Sequence, residues 1–184
     1  MNKTKVKTMA ECSLMLAIAT LLSIVVVYQL PFGGSITLCS MAPLLYVAFH
    51  YPLKWSVLTS LAFGLLQVLI AFFPPPAQNL LSFTGVILLD YLLAYGALGI
   101  AGLLSRPFGG VKGMLVGGSL SIVGRFLCHF ISGIIIWGVY APEGQSAAQY
   151  SLIYNGSFMI GEGILSMAAL IAFAKIPLKG KVSL

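Results

Sequence analysis

The chain has 184 residues, of which 59% are hydrophobic and only 8% are charged, and ten basic against four acidic residues give a net charge of +6. An average soluble domain carries about 25% charged residues, and so small a globule cannot bury this much apolar surface. The composition therefore excludes a soluble single domain, a disordered chain and a nucleic-acid-binding protein. It predicts an integral membrane protein.

Prolines, glycines and charges divide the chain into six apolar stretches, and a transmembrane helix needs about 20 apolar residues. The predicted fold is an all-α bundle of six transmembrane helices, forming one substrate-binding domain over residues 1–184. The first stretch is too long for a signal peptide and lacks a small-residue cleavage site, so we expect it to be retained. The predicted spans are about 9–30, 36–51, 55–73, 80–104, 114–138 and 150–173.

Basic residues indicate which ends of these helices face the cytoplasm. Nine of the ten lie near the termini or in alternate loops that all fall on one side, and the other three loops contain none. By the positive-inside rule, both termini are expected in the cytoplasm. The nine residues are Lys3, Lys5, Lys7, Lys54, Arg106, Lys112, Lys175, Lys179 and Lys181.

The sequence carries none of the common motifs for catalysis or metal binding. It contains no G-x-x-x-x-G-K-[ST] phosphate loop, no G-x-S-x-G elbow and no two carboxylates within one helical turn. Cys12, Cys39 and Cys128 lie in apolar runs without a C-x-x-C pair, so we expect free thiols and no metal site. We expect neither an enzyme nor a resident cofactor.

Three ionisable side chains lie inside predicted spans, at Asp90, Arg125 and Glu162. Each costs about 2.5–3.5 kcal/mol at the centre of a membrane, so each should face the bundle interior and have a partner. Asp90 and Arg125 lie at similar depths, which leaves open an ion pair, a shared ligand contact or a contact of Asp90 alone. The sequence assigns no role to Glu162.

Four residues of the fifth span recur at every fourth position and therefore share one helix face. They are Arg125, His129, Gly133 and Trp137. Taken singly, the tryptophan suits a membrane interface, the histidine a core and the glycine close helix packing. Taken together, they predict the wall of a cavity.

Further polar side chains are expected to complete this cavity in the outer half of the bundle. Tyr150 and Asn155 lie near the outer end of the sixth span and Tyr91 follows Asp90, whereas Tyr154 suits an interfacial position. One carboxylate favours a cation, the indole and imidazole offer flat faces for stacking, and the amide needs hydrogen-bond partners. The predicted ligand is a small, flat, cationic heteroaromatic compound, and neither a metal ion nor an acyl lipid.

These residues belong to a pattern that resembles the thiamine-specific substrate-binding subunits, or S-components, of energy-coupling factor vitamin transporters. The similarity covers nearly the whole chain and is most specific from residue 129 to residue 155. Its motifs are Pro31-Phe-Gly-Gly-Ser35, Leu89-Asp-Tyr91, His129-Phe-Ile-Ser-Gly133 with Trp137, Tyr140-Ala-Pro-Glu-Gly144 and Tyr150-Ser-Leu-Ile-Tyr-Asn155. The resemblance implies a six-helix bundle in a prokaryotic plasma membrane that captures thiamine from outside.

The resemblance also implies a role for each candidate residue. Trp137 would stack on an aromatic ring of thiamine, His129 would line the same cavity and Gly133 would leave space for the ligand. Asp90 would face the cation or the hydrogen-bond donors of the pyrimidine. Hydrogen bonds to the ligand would come from Tyr91, Tyr150 and Asn155.

Two positions depart from the family pattern. Asp90 stands where some relatives have glutamate, so its carboxylate is one methylene shorter and would reach the ligand through water. Phe32 is the aromatic residue of the first outer loop, where some relatives place a tryptophan that closes over the ligand.

The implied partners are a transmembrane coupling protein and two cytoplasmic ATPases, so ATP would be used by those subunits and not by this chain. Ser13 and Ala17 form a small-xxx-small pattern on the first span, where the family docks on the coupling protein; packing inside the bundle is the alternative. Two other functions stay open. One is an autonomous proton-coupled carrier using Asp90 and His129, and the other, disfavoured by the missing motifs, is a membrane enzyme.

Overall fold

The computed structural model describes residues 3–174, with side chains through residue 172, as a helical bundle with one small sheet. A π-helical segment, Ile87–Leu93, lies within the fourth helical stretch, and strands β1 (Val26–Gln29) and β2 (Ser35–Thr37) follow the first helix. The helices are α1 Lys3–Ile24, α2 Met41–His50, α3 Leu53–Ile70, α4 Leu80–Val86, α5 Ala94–Leu98, α6 Ala101–Ser105, α7 Gly110–Ile135 and α8 Ala147–Ala174.

Within residues 3–174, five helical stretches are long and apolar enough to cross a membrane. They are α1, α3, the stretch Leu80–Leu98, α7 and most of α8. Helix α2 has only 10 residues. At 1.5 Å per residue it is about 15 Å long, which is half the hydrocarbon thickness. The predicted span 36–51 is therefore wrong as a complete helical crossing, because its first residues belong to a strand.

Helix α1 ends at Ile24 rather than near Leu30, because the chain turns there into a β-hairpin. Strand β1 reads Val-Val-Tyr-Gln, and β-branched and aromatic side chains favour strands. It pairs antiparallel with β2, with Tyr28 opposite Ile36. Gly33 makes the turn between the strands with a φ of +95°. The prediction of an all-α chain is wrong at this hairpin.

The apolar core lies towards one end of the bundle. Its members include Phe63 of α3, Met114 near the start of α7 and Leu170 near the end of α8. Helices α7 and α8 run antiparallel, and at their other end Gly133 of α7 packs against Ser151 of α8. The hairpin packs on α8 near that second end. Polar side chains, rather than the core, therefore occupy the interior beneath the hairpin.

Six of the nine basic residues predicted to be cytoplasmic lie among the described residues. The Tyr51 hydroxyl donates to Glu11 Oε2 at 3.0 Å, so the start of α1 lies beside the α2–α3 connection. Lys175, Lys179 and Lys181 lie outside the described residues. The cytoplasmic orientation of both termini stays a prediction.

Ser13 and Ala17 lie on the exposed side of α1. Both residues are exposed, whereas Cys12 and Ala19 of the same helix are buried. The small-xxx-small pair therefore does not pack inside the bundle, and that alternative is wrong.

Candidate functional site

A cavity of about 130 Å³ lies between the hairpin, α3, the π-helical segment, α7 and α8. The hairpin contributes residues 32–35 to its wall, and Phe73 and Tyr140 add aromatic rings. The structure brings together here all the candidate ligand-binding residues and Arg125. These are Asp90, Tyr91, Arg125, His129, Gly133, Trp137, Tyr150 and Asn155.

Asp90 is the acceptor at the centre of this cavity. Its Oδ1 lies 2.9 Å from His129 Nδ1, and its Oδ2 accepts from the Ser132 hydroxyl at 2.6 Å and from Trp137 Nε1 at 3.0 Å. The π-helical segment presents the carboxylate, and such wide turns recur at functional sites. All three donors come from the end of α7 and the turn after it. The carboxylate is thus held in one orientation, with its side chain 14% exposed.

Ser132 is a site residue that the sequence reasoning missed. Its side chain is fully buried, and its hydroxyl donates to Asp90 while accepting from Trp137 Nε1 at 3.1 Å. The hydroxyl therefore couples the position of the acid to that of the indole. A serine in an apolar span gives little hydropathy signal, and only its place three residues after His129 could have indicated this role.

Arg125 does not form the ion pair with Asp90 that the sequence left open. Its Nη2 donates to the Tyr95 hydroxyl at 3.1 Å, and its guanidinium carbon lies 4.2 Å from the centroid of that ring. Within residues 3–174, the only acid–base contact of Asp90 is with His129. Arg125 Nε and Nη1 are buried and have no hydrogen-bond partner among the described residues. Two guanidinium donors are therefore available beside the cavity.

Trp137 lines the cavity but lies after the end of α7, the helix to which the sequence analysis assigned it. Helix α7 ends at Ile135, so the predicted run of every fourth residue stops being helical before its last member. The indole nevertheless lines the cavity, with its ring centroid 5.8 Å from that of Phe73 and 6.3 Å from that of Tyr140. Phe32 of the hairpin stacks on Tyr140 at 4.1 Å. Aromatic rings thus form one continuous side of the site.

Gly133 and Asn155 hold α7 and α8 together beneath the cavity. A Cβ atom at Gly133 would lie 2.1 Å from Ser151 Oγ, so this glycine leaves space for α8 rather than for a ligand. The Asn155 amide donates to the carbonyls of His129 at 3.2 Å and of Ser151 at 3.0 Å. The expectation that Gly133 makes room for the ligand is therefore corrected, although the residue does line the cavity.

The two candidate tyrosines, Tyr91 and Tyr150, line the cavity in different ways. The Tyr91 hydroxyl donates to the carbonyl of Ala71 at 3.0 Å and accepts from the amide of Phe73 at 3.1 Å, which fixes the end of α3. The Tyr150 ring lies 5.6 Å from that of Tyr154.

Tyr154 also lines the cavity, whereas the sequence analysis had favoured only a position at the membrane interface for it. Its hydroxyl accepts from the amide of Gly34 at 2.9 Å and donates to the carbonyl of Pro31. Tyr154 therefore ties the hairpin to α8 at the edge of the cavity, and it is a second residue that sequence reasoning did not place in the site.

Glu162 does not line this cavity but lines an adjoining chamber beneath the hairpin. Its carboxylate accepts from the Thr37 hydroxyl at 2.7 Å, from the Ser40 hydroxyl at 3.1 Å and from the amide of Thr37. Arg125 and Tyr95 line the same chamber. The structure thus gives Glu162 a set of partners that the sequence could not supply.

The donors and acceptors of the site suit an organic ligand. Among residues 3–174, no group of three histidine, cysteine, aspartate or glutamate side chains could hold a metal ion. One oriented carboxylate faces a wall of aromatic rings, and His129 Nε2 is buried without a hydrogen-bond partner in the described part of the chain. A multi-pass helical membrane protein with such a cavity is a small-molecule-binding protein of the bilayer.

Comparisons with known proteins identify the family. A family described as "Thiamine transporter protein" matches residues 9–180. The thiamine transporter ThiT of Bacillus subtilis (strain 168) is 32% identical over 180 residues, which cover 90% of this chain and 89% of that relative. The chain belongs to the thiamine transporter protein family and is a multi-pass protein of the prokaryotic plasma membrane.

Two further similarities agree with this assignment. The thiamine transporter ThiT of Lacticaseibacillus paracasei is 33% identical over 90 residues, which cover 44% of this chain and 45% of that protein. A solved structure of ThiT from Listeria monocytogenes has the same fold, with a TM-score of 0.79 and 20% identity. This structural similarity covers 95% of this chain and 97% of the other.

Proposed function

We propose that this protein binds thiamine in the cavity around Asp90 and is the substrate-binding subunit of an energy-coupling factor uptake system. The observation that carries the proposal is a single oriented carboxylate opposite an aromatic wall, in a member of the thiamine transporter family. Thiamine joins a permanently cationic thiazolium to an aminopyrimidine, and this chemistry matches a site that offers one anion and several flat rings.

The unused hydrogen-bonding groups of the site support an aminopyrimidine as part of the ligand. A carboxylate has about four acceptor positions, and three donors already occupy positions on Asp90. With Nδ1 donating to Asp90, His129 Nε2 is an acceptor for a ligand amino group. Arg125 Nε and Nη1 are donors for a ring nitrogen or a hydroxyl. Thiamine supplies both kinds of group.

The proposed arrangement in the membrane is one binding domain spanning residues 1–184, with six transmembrane segments of which α2 is a short one. Both termini would lie in the cytoplasm, and the cavity would open outward beside the hairpin. The basic residues of alternate loops support this orientation. Phe32 would cover the outer face of the ligand, as its stacking on Tyr140 at the cavity supports.

The proposed delivery step uses partners that supply its energy. A transmembrane coupling protein would dock on Ser13 and Ala17, whose exposure on α1 leaves them accessible to another helix. Two cytoplasmic ATPases would hydrolyse ATP, while this chain would hold no cofactor and catalyse no reaction. Ala17→Trp is expected to abolish uptake by cells that contain the whole system, because the large ring prevents close helix approach.

The test of this proposal compares transport with binding in the same variant. Thiamine binding by purified Ala17→Trp in detergent should equal that of the wild type. The matched control is Leu120→Trp, which places the same ring at an exposed position of α7, on a different helix from the pair. Loss of binding in Ala17→Trp, or equal loss of uptake in both variants, would contradict docking at this pair.

An autonomous proton-coupled carrier is the second candidate, and the contact of Asp90 with His129 at 2.9 Å favours it. Such a pair could exchange a proton as a cation enters. Vesicles that contain this chain alone separate the two functions. The proposed subunit should bind thiamine without accumulating it, whereas a carrier would concentrate thiamine when a pH gradient is imposed.

A further inference from the structure

The hairpin that forms one wall of the cavity is attached to α8 by a buried acid. Glu162 is 2% exposed and accepts hydrogen bonds from the amide and hydroxyl of Thr37 and from the Ser40 hydroxyl. Thr37 is the last residue of β2, and Ser40 precedes α2. One carboxylate in the middle of α8 therefore fixes the end of the hairpin and the start of the next helix.

Such an acid is costly in a membrane protein unless its partners are complete. A charged side chain inside a span requires hydrogen-bond donors or an opposite charge. Glu162 has three donors, and Arg125 lines the same chamber. A neutral side chain of similar size would fill the same space at lower cost. The carboxylate therefore has a use that packing alone does not explain.

A second attachment lies two helical turns away on the same face of α8. The Tyr154 hydroxyl contacts the amide of Gly34 and the carbonyl of Pro31 at the tip of the hairpin. Between the two attachments the hairpin lies close to the helix, since a Cβ atom at Gly161 would be 2.6 Å from the side chain of Ile36. The hairpin is thus held at its base by Glu162 and at its tip by Tyr154.

We propose that Glu162 is a positioning residue for the ligand: through Thr37 and Ser40 it fixes the hairpin that carries Phe32 to Ser35 into the wall of the cavity. This inference rests on the proposed function, because the ligand is taken to be thiamine. The hairpin supplies no residue to the apolar core cluster. Loss of the acid therefore loosens the wall of the site while leaving the helix bundle assembled.

The effect on thiamine binding depends on the fraction of molecules in which the hairpin is held against α8. If only a fraction of the molecules holds the hairpin in place, the apparent dissociation constant rises by the inverse of that fraction. Glu162→Gln keeps the size of the side chain but removes its negative charge and replaces one acceptor oxygen by an NH2 group. The charge-assisted hydrogen bonds to Thr37 and Ser40 thereby become bonds between neutral groups, which are about half as strong. We expect about a tenfold weaker thiamine affinity, expressed mainly as faster dissociation.

Hydrogen exchange provides a second measurement that does not depend on the ligand. In ligand-free Glu162→Gln, amides of the hairpin should exchange about tenfold faster than in the wild type, because this segment opens locally. Amides of α3 and α7 should keep their wild-type rates. Ser166→Ala is the matched control, since Ser166 is buried one turn further along α8 and its hydroxyl has no partner among the described residues.

The outcomes separate the inference from the proposed function. Unchanged thiamine dissociation and unchanged hairpin exchange in Glu162→Gln would overturn the inference. Suppose that hairpin amides exchange faster in Glu162→Gln but that the wild-type protein does not bind thiamine. This result would support the attachment of the hairpin by Glu162 and would overturn the proposed function. Should Glu162→Gln fail to fold, Thr37→Val removes one of the three hydrogen bonds. It is expected to speed dissociation about threefold, and an unchanged rate would refute the inference.

Discussion

The replacement Asp90→Asn tests the central electrostatic contact of the site. Asparagine keeps the shape of the side chain but removes the negative charge. It also offers one acceptor oxygen where the carboxylate now serves His129, Ser132 and Trp137. The serine hydroxyl can turn to accept a hydrogen bond, whereas the indole can only donate. We therefore expect a folded protein whose cavity has lost its attraction for a cation.

The size of the effect follows from Coulomb's law. A cation in contact with the carboxylate, about 4 Å away, gains about 4 kcal/mol at an effective dielectric constant near 20. At about 1.4 kcal/mol per factor of ten, this corresponds to an affinity for thiamine that is lower by roughly 10³-fold. Calorimetric titration of the purified variant measures this difference directly.

Two controls distinguish charge from shape. Glu143→Gln removes one acidic charge from an exposed position in the loop before α8, outside the residues that line the cavity, and should change the affinity less than threefold. An uncharged analogue that carries a thiophene in place of the thiazolium should bind the wild type and Asp90→Asn with similar affinities. Retention of thiamine binding within about threefold in Asp90→Asn would refute the electrostatic argument.

The remaining predictions concern the packing and the hydrogen bonds that support the site. Gly133→Ala should lower the stability by about 1–3 kcal/mol, because the new methyl group meets Ser151. Gly156→Ala has open space and should melt like the wild type in the same thermal scan; equal melting of both variants would contradict the packing argument. Ser132→Ala should weaken thiamine binding about tenfold by releasing Asp90 and Trp137, and calorimetry showing unchanged affinity would contradict this role.

Much of the site could be predicted from the sequence, because polar side chains are conspicuous within apolar spans. Asp90, Arg125 and His129 had to face the bundle interior, since lipid excludes them. Helical spacing then placed Arg125, His129 and Gly133 on one face of α7. The same logic could not choose partners, because depth along a helix does not determine which side chains meet. In the structure, Asp90 contacts His129 and not Arg125.

The hairpin could not be predicted from the sequence, because hydropathy does not distinguish its first strand from a helix. Residues 25–28 read Val-Val-Val-Tyr and continue the apolar run of the first helix without a break. Short apolar runs of β-branched residues are compatible with either structure. The hairpin forms because Gly33 permits the turn and because Tyr154 and Glu162 of α8 satisfy its polar groups. These last contacts join residues more than 100 positions apart, which no local pattern reveals.

The π-helical turn around Asp90 likewise could not be predicted from the hydrophobic periodicity of the sequence. The stretch from Leu80 to Leu98 is predominantly apolar and predicts one continuous helix. The structure instead inserts the π-helical segment Ile87–Leu93, which carries Asp90 and Tyr91. Its position beside α7 and α3 is set by packing between helices, and intrinsic propensities do not encode such a choice.

A thiamine titration of the purified protein in detergent, followed by tryptophan fluorescence, tests directly whether the cavity around Asp90 binds thiamine. The chain has two tryptophans, Trp137 in the cavity wall and Trp55 near the start of α3, outside the cavity. We expect saturable quenching that persists in Trp55→Phe and disappears in Trp137→Phe. Quenching that follows Trp55 instead, or no response from folded wild-type protein, would contradict thiamine binding at this site.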